Sequence, residues 1–193
     1  MKNFIEYYQA LTTEECQEII KYINTTERLT NIHHNGMKKS RDVPMNFLNN
    51  ANEMEQKIGN LIITRLYAAA DLYKKTHNQL ERIYTWGVDS SYNLQKYLPN
   101  EGYFGLHTEN MGCSQAELAT NSDARQVMTR MGVWMIYLNN VTNGGTYFDN
   151  YNLTLNAVEG RLLIWPAFWT HFHRGIVSKT ETKYIATGWF SYQ

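Results

Sequence analysis

A mainly β fold, closed as a double-sheet β-barrel with N-terminal helices packed on one face, is what this sequence predicts. Three observations point there. Helical periodicity is confined to the first part of the chain, up to residue 77. From Ile83 onward, short β-branched and aromatic runs alternate with turn residues. No repeat, low-complexity tract or Gly/Ser/Pro-rich linker divides the 193 residues. A chain of this length suits one domain and buries roughly 70% of its extended-chain surface on folding.

Leu11-Thr12-Thr13-Glu14-Glu15 has the form of a helix start. Thr12 is the N-cap, Glu15 closes a capping box and Leu11 is the apolar residue before the cap. Ile19, Ile20 and Ile23 continue at helical spacing. Residues 25–50, polar and holding Gly36 and Pro44, read as irregular. Met54, Ile58, Leu61, Ile62, Leu66, Ala69, Leu72 and Tyr73 then mark a long amphipathic helix over about 50–77. Strands are expected at 83–88, 91–98, 103–109, 132–139, 146–148, 153–156, 161–165, 170–176 and 182–191, with a hairpin-type turn at Asn143-Gly144-Gly145. The polar stretch 110–129 interrupts the strands as a long insertion, the kind of segment that serves as a lid or binding loop. Within it, Ser114-Gln115-Ala116-Glu117 has the form of a cap for a short helix that forms on closure.

Composition excludes several classes. Lys+Arg and Asp+Glu are both 18, so the chain lacks the basic footprint of a nucleic-acid or anionic-membrane binder. No apolar run approaches a membrane span. Glu6 stands where a signal peptide needs apolar residues, which argues against secretion. Cys16 and Cys113 make no disulfide framework and point to a reducing, cytoplasmic home.

The chemistry-bearing residues lie in the second half. In His107-Thr108-Glu109 an imidazole and a carboxylate stand two apart, so on a strand both project from one face and can share a metal. Thr170-His171-Phe172-His173-Arg174-Gly175 offers a second histidine, and two His plus one carboxylate is the facial set of non-haem Fe(II) oxygenases. His171 and His173 share a strand face, so either is a possible third ligand. On strand 182–191, Lys183, Ile185, Thr187 and Trp189 share one face and Tyr184, Ala186, Gly188 and Phe190 the other. Both faces are largely apolar, so the strand is expected to be buried on both sides. A lysine there is expected to face an anion, either a protein carboxylate or a bound one, the alternative being a lysine that snorkels to water from the strand start.

The segment 97–189 resembles the iron(II)- and 2-oxoglutarate-dependent dioxygenases, within them the prolyl 4-hydroxylase-like group. The resembling pieces are Tyr97 through Gly102 to His107-Thr108-Glu109; Arg130 through Trp134 to Tyr137-Leu138-Asn139; Gly144-Gly145-Thr146-Tyr147-Phe148; and His173-Arg174-Gly175 followed by Lys183 and Ala186-Thr187-Gly188-Trp189. The resemblance implies a double-stranded β-helix (jelly roll) with a helical buttress over about 1–80 and a barrel core over about 83–193. It implies that His107, Glu109 and His173 bind Fe(II). Lys183 pairs with the far carboxylate of 2-oxoglutarate, Tyr137 hydrogen-bonds that carboxylate, and Tyr97 lines the co-substrate or substrate pocket. It implies hydroxylation of an unactivated C–H with O2 as the other co-substrate. A peptidyl proline, a free amino acid and another small metabolite all suit such a site.

This chain departs from the pattern in carrying Glu109 where aspartate is commoner. The position is not Ala or Gly, which argues against a halogenase. Spacing to Lys183 and the following Gly175 favour His173 over His171 as ligand; His171 then stands behind the site or in its pocket. The alternative from another class is a metal-binding, cupin-like jelly roll acting as a sensor or carbohydrate-binding module, which has no reason to keep Lys183 with Tyr137. The remaining expectations are modest. His33, His34 and His77 are taken as solvated, Arg41-Asp42 as an ion pair and Cys113 as a passive thiol. Trp134, Trp169 and Trp189 are taken as core, with Trp169, like Tyr97 and Tyr103, a possible pocket rim.

Overall fold

The computed structural model describes residues 2–34 and 36–193. The chain opens with β1 (Glu6–Gln9), which the sequence did not reveal, and enters α1 (Thr13–Thr25). The capping box forms as expected: Thr12 Oγ1 accepts from Glu15 N at 3.3 Å and Thr12 N donates to the Glu15 carboxylate at 2.8 Å.

Residues 25–50 are not irregular. They hold β2 (Thr30–His34) and β3 (Lys38–Asn46). Pro44 disguised β3, and the pairing shows why it is tolerated. β2 covers β3 only as far as Asp42, so at Pro44 the outer edge asks for no ladder hydrogen bond. His33 lies in β2 and is exposed, and the His34 side chain lies outside the described residues. α2 (Glu53–Thr76) follows, capped by the Asn52 side chain and buried along Ile58, Ile62, Leu66, Ala69, Ala70 and Tyr73.

The expected strands 83–88 and 91–98 are one strand, β4 (Trp86–Tyr97). The expected strand 103–109 shrinks to β5 (Gly102–Tyr103) and a single bridge at His107. The insertion carries two short helices, α3 (Gln115–Thr120) and α4 (Ser122–Thr129), and the Ser114 capping box is already formed. β6 (Arg130–Tyr137), β7 (Val141–Phe148), β8 (Leu153–Ala157), β9 (Arg161–Pro166), β10 (His173–Ile176) and β11 (Lys183–Tyr192) complete the chain. Asn143-Gly144-Gly145 is not a hairpin turn. It lies within β7, where positive φ at Asn143 and Gly145 is absorbed by an irregularity in the pairing with β8.

The strands form two antiparallel sheets. The larger runs β1-β9-β6-β11-β4-β3-β2, with β5 on β3, and the smaller runs β10-β7-β8. The first 80 residues are therefore not a purely helical buttress, because they contribute three strands to the larger sheet. β6 separates two apolar layers. Trp134 and Ile136 face α1 and α2, while Val133, Met135 and Tyr137 face the smaller sheet's Val141, Phe148 and Ala157. β11 is likewise buried on both faces, as its sequence implied. Gly188 permits this, since a Cβ there would stand 2.7 Å from the Trp134 ring.

Glu55 joins α2 to α1 and to the loop before it. Its carboxylate accepts from Tyr22 Oη, Arg28 and Ala51 N while the residue is 1% exposed. Glu55→Ala orphans a buried hydroxyl and an amide, so urea unfolding is expected to show a loss of about 2–3 kcal/mol.

Candidate active site

His107, Glu109 and His173 meet between the two sheets. His107 and His173 are joined by backbone hydrogen bonds in both directions, at 3.0 and 2.8 Å, which set the two imidazoles side by side. The segment 107–109 is a single bridge rather than a regular strand, yet the alternation survives. Thr108 turns away to donate to Ala167 O, while His107 and Glu109 turn inward. Glu109 Oε1 lies 3.4 Å from His107 Nε2 and 3.7 Å from His173 Nε2. The three ligand atoms all lie within 4.8 Å of one another.

The ring orientations follow from the backbone. His107 Nδ1 is 2.9 Å from Gly105 O and His173 Nδ1 is 2.9 Å from His171 O. A carbonyl only accepts, so each Nδ1 carries a proton, and in the neutral ring each Nε2 presents its lone pair. Tyr103 stacks on His107 at 3.6 Å, and Trp165 meets His173 edge-on at 5.1 Å. Burial raises the Glu109 carboxyl; when His107 and His173 are protonated, their Nε2–H groups and positive charge outweigh that and hold it well below the usual carboxylate range, a place that a metal cation takes over when both Nε2 atoms are bare.

His171 lies elsewhere. The expected strand 170–176 begins only at His173, because residues 169–171 form a 3-10 turn that breaks the common face. His171 Nε2 donates to Asn3 O at 2.6 Å and its Nδ1 pairs with Thr170 Oγ1 at 2.9 Å, so neither nitrogen is free.

The triad opens into a cavity of about 370 Å3. Lys183, Ile185, Thr187 and Trp189 line it together, as alternation along β11 required. Lys183 is 6% exposed, donates to Ile176 O at 3.1 Å and lies 5.2 Å from the centre of the Tyr97 ring. Among the described residues no carboxylate pairs with it, and burial pulls its pKa down to about 8. Tyr97 lines the cavity with its hydroxyl donated to Gln95 at 2.7 Å. Tyr137 does not. Fully buried, it bonds Thr146 Oγ1 at 2.7 Å, and Thr146 forms the wall in its place.

Other expectations need correction. Trp189 is no core residue; its indole faces the cavity and donates to Glu109. Trp169 is 71% exposed and borders neither core nor cavity. His77 is buried against Tyr73 and bonds Glu6 at 3.0 Å rather than meeting water. Arg41 and Asp42 do not pair: Arg41 bonds Glu101 at 2.6 Å and Asp42 bonds Lys38 at 2.7 Å, because neighbours on a strand face opposite ways. Arg130, Thr146 and Gln95 went unassigned in the sequence and all line the cavity. For Thr146, its place directly after Gly144-Gly145 was the available signal.

No family model matches the chain, and no curated protein matches it. Solved structures do. A viral collagen prolyl hydroxylase from Paramecium bursaria Chlorella virus-1, in complex with 2-oxoglutarate, aligns with a TM-score of 0.72 at 16% identity, covering 98% of this chain and 97% of that one. A prolyl 4-hydroxylase of Pseudomonas putida aligns with a TM-score of 0.66 at 14% identity, over 100% and 94% of the two chains. A prolyl hydroxylase of Trichoplax adhaerens, bound to a hypoxia-inducible-factor peptide, aligns with a TM-score of 0.70 at 15% identity, over 98% and 84%. The chain has the jelly-roll fold of these proteins.

Among the described residues, the insertion's hydrogen bonds to the rest of the fold lie at its root, where Asn110 N donates to Ala167 O and Asn110 Nδ2 to Arg130 O, with Asn110 Nδ2 also closing the loop on Met128 O. α3 and α4 bury no residue. Hydrogen exchange is expected to show amides 113–128 exchanging at least a hundredfold faster, to order of magnitude, than those of β6. Equal protection would mark a rigid surface loop.

Proposed function

We propose that this protein is an Fe(II)- and 2-oxoglutarate-dependent dioxygenase that hydroxylates an unactivated C–H, in the manner of a prolyl 4-hydroxylase. The observation that carries the reading is Lys183: a buried cation with no carboxylate partner among the described residues, facing the same cavity as two imidazoles and a carboxylate. A metal and a dicarboxylate together answer both features. A plain metal-binding jelly roll accounts for the triad and leaves Lys183 without a purpose.

The residues fit the metal. His107, Glu109 and His173 would hold it through two bare Nε2 atoms and one oxygen, the donor set of non-haem iron sites. Iron bound there supplies the coupling of O2 reduction to oxidative decarboxylation of 2-oxoglutarate, yielding succinate, CO2 and a hydroxylated product. The chain's part is placement. Lys183 neutralises the far carboxylate of the co-substrate, with Thr146 beside it as a hydroxyl donor held by Tyr137. Tyr97 and Ile185 wall the cavity, and the apolar layer behind them keeps water out.

The substrate we favour is a peptidyl proline or a related amino-acid residue, which suits a cavity flanked by the exposed segment 110–129 and matches the peptide held by the Trichoplax relative. A reducing compartment such as the cytosol suits two unpaired thiols. No helix among the described residues is long and apolar enough to cross a membrane.

His107→Ala, Glu109→Ala and His173→Ala are each expected to bind little Fe(II) while remaining folded. His171→Ala should keep its iron and lose stability instead. Metal content after dialysis checks this, and the reverse pattern for the two histidines would hand the ligand role to His171.

Lys183→Ala should raise the 2-oxoglutarate concentration at half-maximal succinate formation about ten- to a hundredfold, as loss of a charge-assisted contact does. The pH dependence has a definite sign. Below about pH 7 Lys183 is charged and the requirement is flat. As pH rises through about 8 the free protein loses that charge and the requirement climbs. The same climb in Lys183→Ala would move the co-substrate elsewhere.

A further inference from the structure

Glutamate in place of aspartate raises a problem that the cavity wall answers. An octahedral metal held by two imidazoles and one carboxylate oxygen keeps three positions open. A 2-oxo acid chelating through two oxygens takes two of them and leaves one for O2. A carboxylate that binds through both its oxygens fills a fourth position and removes the last. Glutamate, with one more methylene than aspartate, has the reach and the freedom to do this.

Here its second oxygen is already engaged. Oε1 faces the two histidines, while Oε2 accepts a hydrogen bond from Trp189 Nε1 at 2.9 Å. The indole cannot easily swing away. The Arg130 guanidinium lies over its ring at 3.6 Å, with Nη1 at 3.4 Å from Glu109 O and 3.6 Å from Oε2. The backbone aims the ring as well, since the pairing of β11 with β4 shifts register between Gly188 and Phe190, at Trp189 itself.

We infer that Trp189 is a positioning residue that holds Glu109 to one-oxygen metal ligation, its ring held under the Arg130 guanidinium, and so keeps a coordination position open for the reaction. The inference rests on the proposed iron and 2-oxoglutarate chemistry, and the test separates the two. Trp189→Phe keeps the aromatic surface under Arg130 and loses the N–H. The probe is Co(II), whose visible absorption reports its coordination number without turnover.

Co(II)-loaded wild-type protein is expected to change its spectrum on titration with 2-oxoglutarate. Co(II)-loaded Trp189→Phe should begin with a different spectrum, since Glu109 now chelates, and need roughly tenfold or more 2-oxoglutarate to reach the bound form. Glu109→Asp placed in the Trp189→Phe background should restore much of the response, because the shorter arm chelates less readily. Identical starting spectra and identical half-saturation in wild type and Trp189→Phe would overturn the inference while leaving the functional reading intact. No response to 2-oxoglutarate in wild type would overturn both.

A second measurement needs no variant. In wild-type protein labelled at the indole nitrogens and loaded with Zn(II), one of the five tryptophan N–H signals should shift on metal binding and exchange slowly with water. If none moves, Trp189 does not hold Glu109 in the metal-bound protein and the inference falls.

Discussion

The reciprocal backbone hydrogen bonds between His107 and His173 are the contact on which the cavity depends. They tie the loop carrying His107 and Glu109 to the first residue of β10, and so bind the edge of the larger sheet's connection to the smaller sheet. The imidazoles are neighbours because their backbones are paired, and their Nε2 atoms point inward because each Nδ1 is spent on a carbonyl two residues earlier. The geometry is thus set by main-chain groups, which have no rotamers to choose among. Side-chain packing by Tyr103 and Trp165 only confirms it.

Around that junction the two doubly buried strands, β6 and β11, divide the molecule into working and supporting faces. On the supporting face the helices bury Trp134, Ile136, Ala186 and Phe190, which anchors the strands. On the other face alternate residues of the same strands build the cavity wall. This division lets the cavity hold groups that folding alone disfavours: a lysine and an arginine both shifted toward their neutral forms by burial, and a carboxylate among imidazoles. Such groups concentrate where a ligand is to offset their desolvation, and the rigid apolar layer behind them carries the cost meanwhile.

Much of the architecture was legible in local sequence. Thr12 and Glu15 started α1, the spacing from Ile58 to Tyr73 set α2, and alternation along 183–189 placed Lys183 and Trp189 on one face before any fold was known. What escaped were elements whose reason lies in a distant partner. β1 exists because β9 accepts it, and β3 tolerates Pro44 because β2 stops at Asp42. His77 and Arg41 looked solvated or locally paired because their true partners, Glu6 and Glu101, lie 71 and 60 residues away.

The candidate site divides the same way. The sequence by itself determined the donor types, the two-residue spacing that turns His107 and Glu109 to one side, and a lysine on a strand too apolar to leave it unanswered. The sequence favoured His173 by its spacing to Lys183, and the tertiary structure sets His173 beside Glu109 and His171 away from it, because a 3-10 turn at 169–171 breaks the common face. Only the tertiary structure put Thr146 in the wall and Tyr137 behind it, and brought the Trp189 indole to Oε2 of Glu109. The physical reason is the same throughout. Alternation and capping act over two to four residues and can be read along a chain, whereas which donor meets which acceptor is settled by folding that brings together residues 66 or 80 positions apart.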